Sequence, residues 1–131
     1  TVQMSFLPRA MPQVRGLDVA GLCLPAMEVG GDYYDFIELD EKRLAVVIGD
    51  VSGKGIQAAF FMTLVKGVVR TLAREGRDPG EVLSRANRVF FESAPRGTFI
   101  SMIYGVVDVG ARTFTFARAG HNPVILRRAQ L

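Results

Sequence analysis

Apolar and β-branched residues in the first half of the chain predict a pair of neighbouring strands. Residues 33–39 are aromatic and β-prone, and residues 40–42 are polar residues typical of a tight turn. Residues 43–49 follow with a continuous apolar run, which is typical of a short strand covered on both faces. We therefore expect an antiparallel hairpin here, preceded by a further strand over residues 17–24.

The period of the apolar positions changes after residue 55, and the new spacing predicts a long amphipathic helix. Its apolar face is formed by Phe61, Leu64, Val65, Val68 and Leu72. A basic stripe of Lys66, Arg70 and Arg74 lies on another face, which we interpret as solvated surface. Gly76 is well placed to end the helix.

A second helix is predicted to begin at residues 78–81. Asp78 would be the N-cap, Pro79 the first helical residue and Glu81 the acidic residue at the third position. Its buried face would comprise Val82, Leu83, Ala86, Val89 and Phe90.

The rest of the chain predicts β-structure. Residues 99–109, 113–118 and 123–128 have strand character, and residues 110–112 form a turn between the first two of these segments. Antiparallel hairpins on either side of a helical pair indicate the α+β class rather than alternating βαβ units. We expect two packed sheets, with the helix pair covering one outer face.

The composition is that of one ordered globular domain. The chain has 131 residues, of which 49% are hydrophobic and 22% charged, so it lacks the low hydrophobicity and high net charge of disordered chains. Its single cysteine, Cys23, excludes cysteine-based zinc sites, and its single histidine, His121, disfavours histidine-based zinc centres and Ser-His-Asp catalysis. We interpret both as structural residues.

Two classes of partner are disfavoured by the sequence. No apolar run reaches the ~18–20 residues needed to cross a bilayer, and the first residues lack the pattern of a signal peptide. We therefore expect a cytoplasmic protein with no membrane segment in this chain. The formal net charge is +3, but the basic residues are scattered and not interleaved with aromatic ones, so no nucleic-acid partner is expected.

The acidic residues are concentrated in one part of the chain: seven of the 13 lie in the segment from 28 to 50, and none follows Asp108. The predicted hairpin would bring Asp32 beside Asp50 at one end of the sheet. Glu28 and Asp35 would be close by. Such carboxylates repel one another unless a cation lies between them, and Mg²⁺ or Mn²⁺ accepts oxygen ligands of this kind. The alternative, that Asp32 and Asp50 are turn or cap residues, stays open.

The glycine-rich loop over residues 49–55 lies between a predicted strand and a predicted helix. It is not a P-loop, because only three residues separate Gly49 from Gly53 and because Gly55 follows Lys54. A helix N-terminus with glycines and a lysine still favours an anion. Gly53, Lys54 and Gly55 are therefore candidate phosphate contacts, and a merely flexible turn is the alternative.

Three motifs follow one another in the order typical of one family: residues 28–36 (EVGGDYYDF), 49–59 (GDVSGKGIQAA) and 119–123 (AGHNP). Together they closely resemble the SpoIIE-type branch of the metal-dependent protein phosphatases, the PPM family of protein phosphatase 2C relatives. The resemblance implies a PPM-type antiparallel β-sandwich flanked by helices. Residues 1–16, a mixed segment with Pro8, Pro12 and Gly16, are interpreted as the end of an upstream linker and a lead-in segment. Residues 17–131 would be the N-terminal part of a phosphatase domain truncated at its C-terminus.

The resemblance assigns roles to the acidic residues. Asp50 corresponds to the family's bridging metal ligand, the backbone carbonyl of Val51 to a further ligand, and Asp32 to a metal-site carboxylate. Glu28 and Asp35 would support this site without binding the ions. Two divalent ions, Mn²⁺ or Mg²⁺, would activate a water molecule that hydrolyses phosphoserine or phosphothreonine on a protein, with Asp32 and Asp50 as the catalytic residues.

The resemblance also implies partners. Members of this branch act on phosphorylated STAS-domain anti-anti-sigma factors in bacterial partner-switching pathways, so we expect such a regulatory protein as the substrate. A sensor domain upstream in the parent chain is expected as well. The resemblance is compatible with a homodimer.

Two departures from the family pattern keep other functions open. Eukaryotic relatives carry a histidine in the loop after the bridging aspartate, where this chain has Ser52 and Lys54, so the general acid is unassigned. Family members also have metal-binding aspartates beyond the AGHNP motif, and none follows it here. The alternative is a non-catalytic binding or regulatory module, or an inactive fragment, with an incomplete metal site. The hypothesis of nucleotide binding depends on the glycine-rich loop alone, and the spacing of the glycines in that loop disfavours it.

Overall fold

A computed structural model describes residues 7–24, 31–53, 55–94 and 96–130. The elements follow in the order β1 (Asp32–Glu38), β2 (Arg43–Val51), α1 (Ile56–Arg74), α2 (Pro79–Ser93), β3 (Ile100–Asp108) and β4 (Thr113–Ala119). The strands form one antiparallel sheet in chain order. The predicted α+β class, with antiparallel hairpins on either side of a helical pair, is confirmed.

The turn between β1 and β2 is closed by one side chain, as the polar residues there predict. The Asp40 carboxylate accepts hydrogen bonds from the backbone N–H groups of Lys42 (2.9 Å) and Arg43 (2.8 Å) and from the Arg43 guanidinium (2.7 Å). The guanidinium and these amides hold the pKa of the Asp40 carboxyl below its usual range. This closure fixes the strand register, which pairs Asp32 at the start of β1 with Asp50 near the end of β2.

The core lies between one face of the sheet and the two helices. Alternate residues of the strands point into it, because successive side chains of a strand face opposite sides. The largest fully buried strand side chains on this face are Tyr104, Ile37 and Val47. The helices contribute Met62, Val65, Val69, Val82 and Ala86 to the buried set. Each large apolar side chain buried here stabilises the fold by about 1.5–3 kcal/mol relative to an exposed position.

The buried face of α1 is rotated from the predicted one. Phe61 and Val65 are buried as expected, but Leu64 is 37% exposed, and Met62, Val69 and Ala73 are buried instead. The helix has apolar residues on more than one side, so its period alone does not select the side that meets the sheet. Gly76 ends α1 as predicted, with a positive φ of 71° and its N–H donating to the Ala73 carbonyl.

The basic stripe of α1 is a second correction, because Arg70 is not a solvated residue of that stripe. Its guanidinium forms a two-point ion pair with Asp35 of β1, at 2.6 Å and 2.7 Å. The Asp35 carboxylate is completely buried and the Arg70 side chain is 36% exposed. The stripe is therefore interrupted by a residue that ties α1 to the sheet.

The start of α2 follows the sequence prediction. The Asp78 carboxylate accepts hydrogen bonds from the backbone N–H groups of Gly80 (3.1 Å) and Glu81 (3.3 Å), and Pro79 occupies the first turn. Val82, Ala86 and Phe90 are buried as predicted. Of the remaining predicted positions, Leu83 is half-buried and Val89 is 37% exposed.

Two predicted strands are not formed. Residues 17–24 contain only an isolated bridge from Val14 to Leu17, and residues 122–130 have no regular structure. Neither segment has a neighbouring strand with which to exchange backbone hydrogen bonds in the described parts of the chain, and strand propensity alone does not form a strand. Within the first segment Gly21 lies against the Tyr34 ring, and upstream of it Leu7 and Val14 are buried, so this part of the chain still packs on the fold.

The sheet face opposite the helices is partly open. Ile48, Phe114 and Phe116 on this face are 42–47% exposed, and the rings of the two phenylalanines stack over Gly105. The described residues build one four-stranded sheet, and the second of the two packed sheets that we expect is not among them. The helix pair covers one outer face of the sheet, as expected.

One described helix, α1, is long and apolar enough to cross a membrane by length and composition alone. A core helix passes the same test. In α1, Met62, Val65 and Val69 are fully buried in the core against the sheet and α2, so part of its apolar stretch belongs to the core.

Candidate functional site

A row of polar residues crosses the sheet at one end. Asp32 of β1 is the register partner of Asp50 of β2, and Asp50 is in turn the partner of Ser101 of β3. Partners directly opposite one another share a face of the sheet, so these side chains lie together on the face away from the helices. The predicted convergence of Asp32 and Asp50 is confirmed, and their role stays a prediction.

The electrostatics of this row are those of a carboxylate pair. Partial burial raises the pKa of the Asp50 carboxyl, and the charge of Asp32 and a hydrogen bond with Asp32 raise it further. The charge of His121 acts on the Asp50 pKa in the opposite direction. A cation placed beside the pair would relieve the repulsion and keep both groups ionised.

The carboxylates of this row could supply some, but not all, of the oxygen ligands of a hard divalent cation. Mg²⁺ is commonly bound by one or two carboxylates, with water and substrate phosphate oxygens completing its coordination, and Asp32 with Asp50 supplies that pair. A Cβ at position 31 would lie 2.2 Å from the Val51 carbonyl oxygen, so only glycine fits against this carbonyl. The described ranges contain no group of three or more His, Cys, Asp or Glu side chains able to hold a metal ion.

The glycine loop leads from this row into α1. Gly53 and Gly55 both have positive φ angles, of 94° and 81°, and a Cβ at either position would meet no atom of the described residues within 4 Å. Gly55 is the N-cap of α1 and provides no side-chain cap. Ser52 holds the loop to β3, because its hydroxyl accepts a hydrogen bond from the Phe99 N–H at 2.9 Å. Lys54 and Glu28, both predicted site residues, lie outside the described residues.

Asp35 does not lie with the other predicted site residues. It is on the opposite face of β1 from Asp32, because the two are an odd number of positions apart. Its carboxylate is fully buried and binds Arg70, the hydroxyl of Tyr33 (3.1 Å) and the backbone N–H of Phe36 (2.9 Å). Burial together with the Asp35 charge raises the pKa of the Tyr33 phenol. The expectation that Asp35 lies close to Asp32 and Asp50 on the same side is therefore corrected.

The sequence interpretation missed a pair of residues at this row. The Ser101 hydroxyl lies 3.0 Å from Nδ1 of His121, which the lone-histidine interpretation had treated as structural. Gly120, at φ 70°, turns the chain after β4 so that His121 comes back to Ser101. The signal for this contact is the strand order: Met102 pairs with Ala119, so the AGHNP motif must end beside the start of β3.

Comparison with known proteins places this geometry in a family. The family model described as Stage II sporulation protein E (SpoIIE) matches residues 40–130, well over half of the chain. A curated relative is the phosphoserine phosphatase RsbU of Bacillus subtilis (strain 168), which is 37% identical over 122 residues and 93% of this chain.

Two solved structures share the fold. The crystal structure of the RsbU and RsbW domains of Rv1364c from Mycobacterium tuberculosis matches with a TM-score of 0.65 and 29% identity over 84% of this chain. The PP2C phosphatase domain of SpoIIE from Bacillus subtilis matches over 71% of this chain with a TM-score of 0.55 and 18% identity. At this identity the match shows a shared fold and nothing more.

The chain spans only part of each of these proteins. It covers 36% of the length of RsbU, 28% of the Rv1364c chain and 32% of the SpoIIE chain. The match nevertheless includes the hairpin end with Asp50, the glycine loop, both helices and the AGHNP motif, in the order in which the structure arranges them around one sheet. The chain therefore belongs to the SpoIIE family, the SpoIIE-type branch of the PP2C-like metal-dependent protein phosphatases.

Proposed function

We propose that this chain carries the metal-binding end of a serine/threonine protein phosphatase. The observation that carries the proposal is the register that sets Asp32 directly opposite Asp50 at one end of the sheet. The similarity to a phosphoserine phosphatase supports the reaction class. The substrate is a phosphoserine or phosphothreonine on another protein.

Asp32 and Asp50 bind the divalent cation in this proposal, with the Val51 carbonyl as a further oxygen donor. Asp50 would be a ligand of both ions, either Mn²⁺ or Mg²⁺. When bound, the ions neutralise charge on the phosphoryl oxygens and lower the pKa of the attacking water. Without a cation, the charges of Asp32 and Asp50 repel a phosphate group, so we expect no turnover in a chelator.

The other predicted site residues act around this pair. Gly53, Lys54 and Gly55 contact the substrate phosphate at the start of α1, where the free N–H groups of the helix favour an anion. Glu28 keeps its predicted supporting role. Asp35 supports the site indirectly in this account, because its ion pair with Arg70 fixes β1, on which Asp32 is carried.

We infer the partners from the family and from the similarity to RsbU, a phosphoserine phosphatase. We propose a phosphorylated STAS-domain anti-anti-sigma factor as the substrate of a bacterial partner-switching pathway, acting in the cytoplasm. An upstream sensor domain would regulate the phosphatase, and a homodimer is compatible with this arrangement.

The test is phosphate release from a phosphorylated STAS-domain protein by the full-length protein in Mn²⁺. We expect Asp50→Asn to lower the rate by at least about 100-fold, since even residues that only orient metal ligands cost 10–100-fold when they are changed. The matched control is Asp40→Asn at the other end of the same hairpin, which keeps an acceptor oxygen for the turn and should retain near wild-type activity. Unchanged turnover in Asp50→Asn would refute the assignment.

A second candidate function is a non-catalytic binding or regulatory module. It is favoured by the acidic donors of the described residues, which form a pair and no larger group. Such a module would bind Mn²⁺ weakly or not at all and would release no phosphate. Saturable Mn²⁺ binding together with phosphate release would exclude it.

A further inference from the structure

The Ser101–His121 pair is the part of this end of the sheet that the proposed function leaves without a role. Ser101 is the register partner of Asp50, and its hydroxyl lies 3.0 Å from Nδ1 of His121. Both side chains are half-buried, so the histidine ring is in contact with the fold and still reached by solvent. The charge of His121 acts on Asp50, which places the ring within electrostatic reach of that carboxylate.

The loop that carries His121 is braced from two sides. The Arg118 guanidinium donates a hydrogen bond to the backbone carbonyl of His121 at 3.1 Å. The Ser101 hydroxyl holds the ring itself, through Nδ1. A ring fixed through Nδ1 leaves Nε2 as the nitrogen available to another molecule, which is how enzymes commonly orient a histidine that transfers a proton.

We propose that His121 is the general acid for the serine leaving group and that Ser101 is its positioning residue. The inference rests on the proposed phosphatase function. A phosphoserine whose phosphoryl group lies at Asp32 and Asp50 places its Oγ, the leaving oxygen, on the face of the sheet that carries His121. No other residue with a proton to transfer near neutral pH stands on this row of the described chain.

In the hydrolytic step, one bond to phosphorus forms and another breaks. A bond forms between the oxygen of water and phosphorus, while the bond between phosphorus and the serine Oγ breaks and leaves its electron pair on Oγ. The proton on Nε2 of His121 passes to Oγ, so that serine departs as the neutral alcohol. The water loses one proton to solvent, and the imidazole recovers one from solvent after the product has left.

The leaving group provides the test. An alkoxide is a strong base and needs the proton, whereas para-nitrophenolate is a weak base and departs without it. In the full-length protein with Mn²⁺, we expect His121→Gln to lower kcat/KM for a phosphoserine peptide by about 10²–10⁴-fold. We expect its kcat/KM for para-nitrophenyl phosphate to change by less than about 3-fold, within the range of an indirect effect.

Ser101 supplies the second variant. Ser101→Ala should show the same selectivity with a smaller loss, and Ser101→Thr, which keeps the hydroxyl, should restore the phosphoserine rate. If His121→Gln fails to fold, as judged from its thermal midpoint, the comparison of Ser101→Ala with Ser101→Thr tests the role of His121. If His121 contributed to fold stability alone, its substitution would lower kcat/KM for both substrates together. Ser101→Ala and Ser101→Thr would then have the same effect.

These measurements distinguish a wrong assignment of His121 from a wrong assignment of the phosphatase function. Selective loss on the phosphoserine peptide, with Mn²⁺ affinity measured by calorimetry unchanged, supports His121 as the general acid. Equal losses on both substrates, no loss, or a weakened Mn²⁺ affinity would overturn that assignment and leave the phosphatase standing. A wild-type protein that hydrolyses neither substrate would overturn the proposed function itself, and this inference with it.

Discussion

At the scale of single residues, the two carboxylates at the hairpin end make the metal-free protein less stable than it could be. Like charges directly opposite one another in a sheet are destabilising, and desolvation and then the charge of Asp32 raise the pKa of Asp50. A carboxyl whose pKa is higher in the folded state contributes stability at low pH, and this contribution is lost as the pH rises through its folded-state pKa.

We therefore expect Asp32→Asn to stabilise the protein in a chelator at pH 7. The gain should be near the low end of about 0.2–1 kcal/mol, because both side chains are exposed to solvent. It should disappear near pH 3, where Asp50, whose pKa is raised in the folded state, is protonated in both states. Urea unfolding at the two pH values measures it.

The same variant should behave in the opposite way when Mn²⁺ is present. The wild type gains stability from the bound cation in proportion to its affinity, and Asp32→Asn loses part of that gain. A variant that is less stable than the wild type in the chelator at pH 7 would show that Asp32 has a structural role instead.

At the scale of elements, the Asp35–Arg70 pair is the main polar contact between the helices and the sheet. Asp35 is fully buried and its carboxylate oxygens are occupied by Arg70, the Tyr33 hydroxyl and the Phe36 N–H. Removing one partner of such a pair leaves a buried charge without compensation, which costs far more than the pair contributes when intact.

Arg70→Ala should lower the free energy of unfolding by about 3 kcal/mol, the low end of the range for broken buried pairs, because Arg70 is partly exposed. The matched control is Arg74→Ala, one turn further along α1 and exposed. It should lose only the interaction of a cation with the helix C-terminus, about 0.3–1 kcal/mol. Urea unfolding of both variants gives the comparison, and equal losses would contradict the role assigned to the pair.

The start of α2 gives an independent prediction at this scale. Asp78→Ala removes the acceptor for the N–H groups of Gly80 and Glu81 and should cost about 1 kcal/mol. Asp78→Ser should restore most of the loss, since serine is also a good N-cap. Thermal or urea unfolding measures both variants, and an Ala variant as stable as the Ser variant would show that the cap contributes nothing.

At the scale of the whole molecule, local chemistry was enough to predict much of the fold. The turn residues 40–42, the N-cap at Asp78 and the helix end at Gly76 each depend on neighbours within a few positions, and each is where the sequence places it. The convergence of Asp32 and Asp50 follows from the hairpin alone.

The features that could not be predicted from the sequence depend on contacts between residues far apart in the chain. Residues 17–24 and 123–128 have strand propensity, but a strand needs a neighbour to bond with. The Asp35–Arg70 pair joins residues 35 positions apart, although Asp35 at an inward-facing position of β1 was a signal, because a buried carboxylate requires a partner. The contact of His121 with Ser101 required the pairing of β3 with β4.

Mn²⁺ binding measured by calorimetry on the full-length protein tests the central claim most directly, namely that Asp32 and Asp50 form a divalent-cation site. The wild type and Asp40→Asn should bind Mn²⁺ with similar affinity, and Asp32→Asn and Asp50→Asn should each weaken it by about 10-fold or more. Wild-type affinity in both of the site variants would contradict the account.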